Sequence, residues 1–167
     1  MHNDAFHRGL AGRLRSVLTA LLGVGLLLAG TAVRAQAAAE DLRFPGEEAQ
    51  HKVVYQFNKA DEEYMEHVLF SVGAMLRKYG DNVQIAVVAI GPGIHILGKR
   101  PERTVPKLIQ QRVSSLAQYG VKFIACGNTM KSLGWTENDL LPFAEMTEVG
   151  AAALMELQEQ GYAYISW

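Results

Sequence analysis

Cys126 is the only cysteine of the 167-residue chain and the side chain with the clearest capacity for covalent chemistry. An apolar run at residues 121–125 leads directly to it, and Gly127, Asn128 and Thr129 follow, which are residue types that open a helix or a tight turn. The pattern therefore predicts a thiol at the carboxyl end of a buried strand. Ligands bind at that edge of open α/β sheets, and the free N–H groups of a following helix favour a thiolate. A reactive thiolate and a small buried hydrophobe are the two interpretations that this placement leaves open.

His95 is predicted at the same edge of the sheet. It lies in the segment Gly-Pro-Gly-Ile-His-Ile-Leu at residues 91–97, directly after a near-continuous apolar strand at residues 84–90. A histidine near a thiol can raise the thiolate fraction or shuttle protons, and a loop histidine bonded to the backbone is the alternative. The segment is not a dinucleotide fingerprint, because Ile96 stands where the third glycine would be and the loop is apolar.

A sulfur carrier is one chemically coherent role for a lone thiol, because it needs one cysteine only. A thiolate that attacks a sulfane donor keeps one extra sulfur atom and can release it to a second thiol. A dithiol oxidoreductase would need a second cysteine where the chain has Thr129, and a phosphatase-like loop would need an arginine where it has Ser132. A Cys–His hydrolase with His95 as the base stays open, although the sequence names no Asp or Asn to orient that histidine. Whether the chain is an enzyme also stays open, since no catalytic constellation is complete.

Alternating strands and helices are predicted to position these residues. The first strand covers residues 51–58, and Asn58 is the predicted N-cap of a helix that has acidic residues 61–63 in its first turn and ends at Gly80. The helix dipole accounts for the acidic residues, so no metal site is predicted there. Further strands are predicted at residues 84–90, 121–125, 143–147 and 162–167, and further helices between Pro106 and Gly120 and around residues 149–160. The alternation predicts an α/β sheet with helices on both faces.

Residues 1–35 have the pattern of a secretory signal peptide. Basic residues precede an apolar run at residues 17–29, and small residues such as Ala35 and Ala37 follow it. The run is short and contains glycine, which disfavours a membrane span, and an uncleaved amphipathic anchor is the alternative. Residues 36–50 are predicted to be a flexible lead-in and residues 51–167 a single α/β domain. The protein is accordingly expected in the periplasm or outside the cell, with no membrane span after cleavage.

The charge of the mature chain excludes one class of partner. Removing residues 1–35 takes four arginines and one aspartate from a total of 16 basic and 17 acidic residues, which leaves 12 and 16 and lowers the net charge from −1 to −4. An acidic surface gives no electrostatic footprint for nucleic acid. A single cysteine also forms no internal disulfide, so an exported Cys126 is buried, bridged to another chain or kept for chemistry.

Three basic residues, Lys99, Arg100 and Arg103, follow the histidine segment. They could attract an anionic sulfur compound or a partner protein. A solvated run of charges is the alternative, and the pattern alone does not decide between them.

Four segments of the chain resemble the DsrE/DsrF-like family, which has the YchN-like fold. They are HKVVYQFN at residues 51–58, GPGIHIL at 91–97, GVKFIACGNTMKSLGW at 120–135 and LQEQGYAYI at 157–165. The most specific of them is the strand that ends at Cys126, with the pair Gly134 and Trp135 after it. The resemblance implies a single-domain three-layer α/β/α sandwich with a mainly parallel sheet of about five strands. It also implies a homotrimer or a homohexamer.

Within this resemblance, Cys126 matches the cysteine that carries sulfur as a persulfide in some members and passes it to a partner protein's thiol. Residues 91–97 match the loop over that cysteine, and His95, Asn128 and Thr129 are possible supporting residues. The relay members work in the cytoplasm, whereas this chain carries an export signal, so the resemblance names no sulfur donor or acceptor. The favoured function is an exported sulfur carrier without cofactor or metal. The alternative is a non-enzymatic oligomeric binding or assembly module in which Cys126 is structural.

Overall fold

One parallel sheet organises the part of the chain that the computed structural model describes, residues 48–167. Its strands are β1 (His51–Phe57), β2 (Val83–Ala89), β3 (Lys122–Cys126), β4 (Ala144–Thr147) and β5 (Ala163–Ile165). They lie in the order β4-β3-β2-β1-β5, and each neighbouring pair is parallel. The predicted fold class, an α/β sandwich on a mainly parallel sheet of about five strands, is confirmed.

Helices connect the parallel strands, as they must when successive strands run in one direction. The α-helices are α1 (Glu62–Tyr79), α2 (Lys107–Gln118), α3 (Gly127–Leu133) and α4 (Gly150–Glu159), and the 3₁₀ segments are Gly80–Asn82, Gly91–Leu97 and Glu137–Asp139. In the last of these, Thr136 and Asp139 form a capping box in which both reciprocal hydrogen bonds are present. The carboxyl ends of β2, β3 and β4 therefore lead into helical segments along one edge of the sheet.

Apolar residues cover both faces of the sheet, which explains why β2 is apolar almost throughout. Successive residues of a strand face opposite sides, so Val53 and Tyr55 of β1 pack into the core beneath α1 and α2. Val54 packs on the other side, in a second core cluster with Leu154 of α4. Full burial of a side chain of this size stabilises the fold by about 1.5–3 kcal/mol. The result is three layers, with helices on both sides of the sheet.

Helix α1 begins later than the sequence pattern predicts. The prediction of Asn58 as the N-cap is wrong, because Asp61 holds that position and its Oδ1 accepts the N–H of Tyr64 at 2.9 Å. Asn58 binds the Tyr64 hydroxyl instead, with its own N–H donating to that oxygen at 3.1 Å. Both residue types suit an N-cap, and the tertiary contact with Tyr64 engages Asn58 elsewhere.

Two other elements differ in extent from their predictions. Residues 91–97, predicted as a loop, form a 3₁₀ helix in which Ile94, Ile96 and Leu97 are buried. Burial of these apolar side chains ties the segment to the core, although its two glycines and a proline are typical of a loop. The terminal strand predicted at residues 162–167 is confined to β5.

The predicted signal peptide and most of the predicted lead-in lie outside the described residues. The described part of the lead-in already belongs to the fold, since Ala49 is buried and the N–H of Gln50 donates to Asn82 Oδ1 at 2.9 Å. Over residues 48–167, no helix combines the length and the apolar character needed to cross a membrane.

Candidate functional site

Cys126 lies at the carboxyl edge of the sheet, as the last residue of β3 and the N-cap residue of α3. A cleft of about 540 Å³ opens there, with walls from the end of β2, the start of α3 and the start of α4. Its lining includes all four residues singled out in the sequence, Cys126, His95, Asn128 and Thr129. Parallel strands thus bring residues from distant parts of the chain to one cleft.

The Cys126 thiol is surrounded by hydrogen-bond donors although only 4% of the residue is exposed. Burial raises the pKa of the thiol, but hydrogen bonds outweigh burial and hold the pKa of Cys126 below its ordinary value. The hydrogen bonds come from the Thr129 hydroxyl and the backbone N–H groups of Thr129 and Gly150, with a smaller effect from the Asn128 N–H, which itself donates to the Glu148 carbonyl oxygen at 3.1 Å. The Gly150 N–H lies 3.3 Å from the Cys126 sulfur. The site therefore favours the thiolate, which is the nucleophilic form.

The Thr129 hydroxyl links the thiol to the segment that follows β2. The backbone N–H of Gly91 donates to Thr129 Oγ1 at 3.0 Å. Because the oxygen accepts that hydrogen bond, the hydroxyl proton is available for donation to the Cys126 sulfur. Thr129 thus contributes through its side chain, whereas Asn128 is exposed and contributes to the thiol through its backbone.

Two glycines allow the start of α4 to approach the thiol. A Cβ atom on Gly150 would lie 2.9 Å from the Cys126 Cβ, and a Cβ atom on Gly127 would lie 2.8 Å from the Thr147 carbonyl oxygen. Either contact is too short for a real Cβ atom. The missing side chains therefore let the backbone after β4 pack against the Cys126 turn and direct the Gly150 N–H at the sulfur.

His95 lies on the Gly91–Leu97 segment with 3% of its surface exposed. Its Nδ1 atom has no hydrogen-bond partner among the described residues. The Trp135 ring stands edge-on to the imidazole, with centroids 5.4 Å apart and ring planes at 85°. Burial lowers the pKa of His95, the charge of Arg103 lowers it further, and Glu102 opposes this. His95 is therefore a neutral imidazole at pH 7.

The surroundings of His95 do not complete a Cys–His hydrolase. In such enzymes a third side chain orients the histidine by a hydrogen bond to the ring nitrogen that does not face the thiol. Within residues 48–167, Nδ1 has no carboxylate or amide partner. The orienting residue that the sequence could not name is thus not supplied by the fold of this part of the chain.

The three basic residues after the histidine segment do not act as one group. Lys99 Nζ donates to the Asn138 carbonyl oxygen at 2.7 Å, and an Arg100 guanidinium nitrogen lies 3.9 Å from Asp139 Oδ1. Arg103 lines the cleft. One of the three cations therefore faces the site, and the other two bind the segment before β4.

Gly150 is the site residue that the sequence reasoning missed. The sequence pattern places it at the start of the last helix and indicates no link to the thiol. The sequence does contain a signal for it, namely the predicted strand at residues 143–147. The carboxyl end of that strand must lie at the same sheet edge as the carboxyl end of β3, which brings the residues after it near Cys126. The distance between the Gly150 N–H and the sulfur depends on close backbone packing, which a single sequence does not encode in its pattern.

A metal site is not formed by the described part of the chain. Over residues 48–167, no three His, Cys, Asp or Glu side chains group in a way that could hold a metal ion. The acidic start of α1 contains Glu62 and Glu63 in the first turn, with Asp61 as its cap. These positions fit stabilisation by the helix dipole.

Replacing Thr129 by valine is expected to slow alkylation of Cys126 about tenfold at pH 6, since a hydrogen bond to a charged group is worth at least that factor. Loss of the hydroxyl donor raises the pKa of the thiol, so less thiolate is present below that pKa, and the two rates converge at high pH. Iodoacetamide rates measured from pH 5 to pH 10 test this. Thr129→Ser keeps the hydroxyl and is the matched control, and equal rates for valine and wild type at pH 6 would contradict the assignment.

Comparison with known proteins gives one family and two similar structures. Residues 47–167 match the family model described as the DsrE/DsrF-like family. The protein of unknown function MTH1491 from Methanobacterium thermoautotrophicum is 28% identical, with a TM-score of 0.63 over 71% of this chain and 100% of that one. The ychN protein from E. coli has a similar fold, with 13% identity and a TM-score of 0.56 over 71% and 100% of the two chains. No curated protein matches the chain.

Proposed function

This chain belongs to the DsrE/DsrF-like family, whose members are associated with sulfur relay, and we propose that it carries sulfur as a persulfide on Cys126. The observation that supports this most is the set of N–H and O–H donors directed at the thiol, which hold its pKa low in spite of burial. A merely structural cysteine does not need such donors, whereas a nucleophilic one does.

The proposed loading step needs no second cysteine and no external oxidant. The Cys126 thiolate attacks the outer sulfur of a donor R–S–SH, a new S–S bond forms on Cys126, and the donor's S–S bond breaks. The leaving R–S⁻ takes the proton of the new persulfide, which gives Cys126–S–S⁻ and R–SH. The overall change transfers one sulfur atom at constant oxidation level.

Access to the thiol restricts how a donor can bind. Because Cys126 is 4% exposed at the base of the cleft, the donor must bring its sulfane sulfur in on a slender group. A small sulfane compound or a cysteine on an extended protein segment meets this condition. A donor cysteine fixed on a flat surface does not.

Intact mass spectrometry of the wild-type protein under non-reducing conditions tests the proposal. After incubation with polysulfide and desalting, we expect a gain of whole sulfur atoms that a reductant removes and that prior alkylation prevents. Folded protein that gains no sulfur would contradict the proposal. The matched substitution at Cys126 has the largest expected effect and is argued in the Discussion.

A binding or assembly module with a structural Cys126 is the second candidate, and the near-complete burial of the residue favours it. The two candidates differ in thiol reactivity. The module predicts a Cys126 that resists alkylation in the folded protein, while the carrier predicts fast alkylation at mildly acidic pH. Alkylation of native and unfolded protein side by side separates them.

Export and self-association complete the proposal. We propose that the chain is exported and that residues 1–35 are removed, which N-terminal sequencing of the protein from its producing cell would test.

We also propose a homotrimer or homohexamer. Exposed apolar side chains on α1 and directly after α2, Phe70 at 63% and Tyr119 at 75% exposure, support an association surface. The mass in solution by sedimentation equilibrium tests this, and a monomer at micromolar concentration would contradict it.

A further inference from the structure

The cleft beside Cys126 contains one cation that the described part of the fold does not neutralise. Within residues 48–167, its walls include Arg103 and neither an aspartate nor a glutamate. Arg103 is exposed, and it forms no ion pair with another residue of this part of the chain. His95 in the same wall is neutral at pH 7. The charge of Arg103 is therefore available to a molecule that enters the cleft.

The segment that carries Arg103 is held at both of its ends. At one end the Lys99 N–H donates to the Asp139 carbonyl oxygen at 2.8 Å. At the other end Val105 is buried, and its carbonyl oxygen accepts a hydrogen bond from Gln110 Nε2 at 2.8 Å. Arg103 lies between these two attachments, so its backbone stays at the cleft before a ligand arrives.

The charge of Arg103 acts on the wall of the cleft and not on the thiol. After burial, it is the larger cause of the lowered pKa of His95, and it outweighs the opposite effect of Glu102. It is not among the groups that shift the pKa of Cys126. A cation placed in this way would act on a part of the donor that does not react.

An anionic donor needs such a cation because the Cys126 thiolate repels it. Two negative charges that approach each other in a partly enclosed site raise the free energy of the encounter. A fixed cation in the wall offsets this repulsion and raises the local concentration of anions. An uncharged donor gains nothing from it, so the cleft distinguishes donors by the charge on the group that carries the sulfur.

We propose that Arg103 selects small sulfane donors R–S–SH in which the group R carries a carboxylate. This inference rests on the proposed function and deepens it by naming the class of donor. In the loading step the outer sulfur bonds to Cys126, the donor's S–S bond breaks, and R–S⁻ leaves with the carboxylate and takes up the proton of the new persulfide. Arg103 contacts the carboxylate and determines specificity.

The first test compares alkylation of Cys126 by iodoacetate and by iodoacetamide, which are similar in size and differ in charge. We expect Arg103→Gln to lower the ratio of the two rates about threefold, the size of one exposed charge pair, and Arg103→Glu to lower it about tenfold, because repulsion replaces attraction. Both effects should shrink in 1 M salt, where the Debye length is about 3 Å. The iodoacetamide rate itself should not change, since Arg103 does not shift the pKa of Cys126.

The second test measures sulfur loading by intact mass from the persulfides of N-acetylcysteine and of N-acetylcysteine amide. These two donors differ in one carboxylate, and we expect Arg103→Gln to lower the preference for the acid by the same factor of about three. Arg100→Gln is the matched control. It removes a cation of the same segment that lies 3.9 Å from Asp139 Oδ1 and does not line the cleft, so neither ratio should change.

Equal ratios in wild type and in the Arg103 variants would overturn the inference and leave the carrier function intact. An equal loss in Arg100→Gln would also overturn it, because the general charge of the surface would then be the cause. So would an iodoacetamide rate that falls together with the iodoacetate rate, since Arg103 would then act on the thiol. Wild-type protein that gains no sulfur from either persulfide would overturn the carrier function itself, whatever the alkylation ratio.

Discussion

Cys126→Ser is expected to abolish sulfur loading completely while leaving the protein folded. Sulfur gain from polysulfide requires a thiolate, and Cys126 is the one thiol in the sequence. Serine is close in shape, and its oxygen can accept the hydrogen bonds that Thr129 and Gly150 now donate to the sulfur. Intact mass after polysulfide treatment measures loading, and urea unfolding measures stability. Sulfur on the serine variant would contradict the assignment of Cys126.

A thiol moved to the rim of the cleft is the matched control for position. Ser132 also lines the cleft but is exposed, and in Cys126→Ser/Ser132→Cys it would supply a cysteine outside the set of donors. This thiol would lack the hydrogen bonds that favour the thiolate at Cys126, so at pH 6 we expect it to load at least about tenfold more slowly than wild type. Equal loading rates would show that the hydrogen-bond donors around Cys126 do not speed sulfur loading. The proposed carrier function would then lose its physical basis.

The sheet edge could be predicted from the sequence because parallel α/β proteins have a simple rule for where strands end. The apolar run before Cys126 and the one before Gly91 both had the character of strands buried on two faces, and that placed both ends at one edge. The cleft does contain Cys126, His95 and Thr129. What each contributes could not be predicted, because the direction of a hydroxyl or an imidazole depends on packing between segments far apart in the chain.

The misassigned segments show where local pattern stops being sufficient. Residues 91–97 have the glycines and proline of a loop, and the core contacts of Ile94 and Leu97 decide that they are helical. Asn58 and Asp61 are both residue types that suit an N-cap. Asp61 caps the helix by accepting the Tyr64 N–H, whereas Asn58 hydrogen-bonds to the Tyr64 hydroxyl. In both cases tertiary contacts select among local structures that the sequence permits.

Gly93→Ala is expected to destabilise the protein by about 3 kcal/mol, the upper end of the usual cost of overpacking. A Cβ atom on Gly93 would lie 2.2 Å from the Phe57 carbonyl oxygen and 2.6 Å from its carbon. Both are backbone atoms at the end of β1, where the oxygen also accepts the N–H of Ile90 at 2.9 Å, so neither can move without breaking the sheet edge. The clash would push the segment that carries His95 away from the strand ends. Urea unfolding monitored by tryptophan fluorescence measures the loss.

Gly73→Ala makes the same chemical change with the opposite expected sign, which separates a clash from a general sensitivity to alanine. Gly73 lies within α1, and its added Cβ would meet only the mobile end of the Arg77 side chain at 3.3 Å. Alanine in a helix interior is more stable than glycine by about 0.5–1 kcal/mol, so the urea midpoint should rise. A Gly93→Ala protein as stable as wild type would mean that the segment 91–97 can move off β1 at little cost. The Gly91–Leu97 segment, which carries His95 in the wall of the cleft, would then not be fixed by its contact with β1.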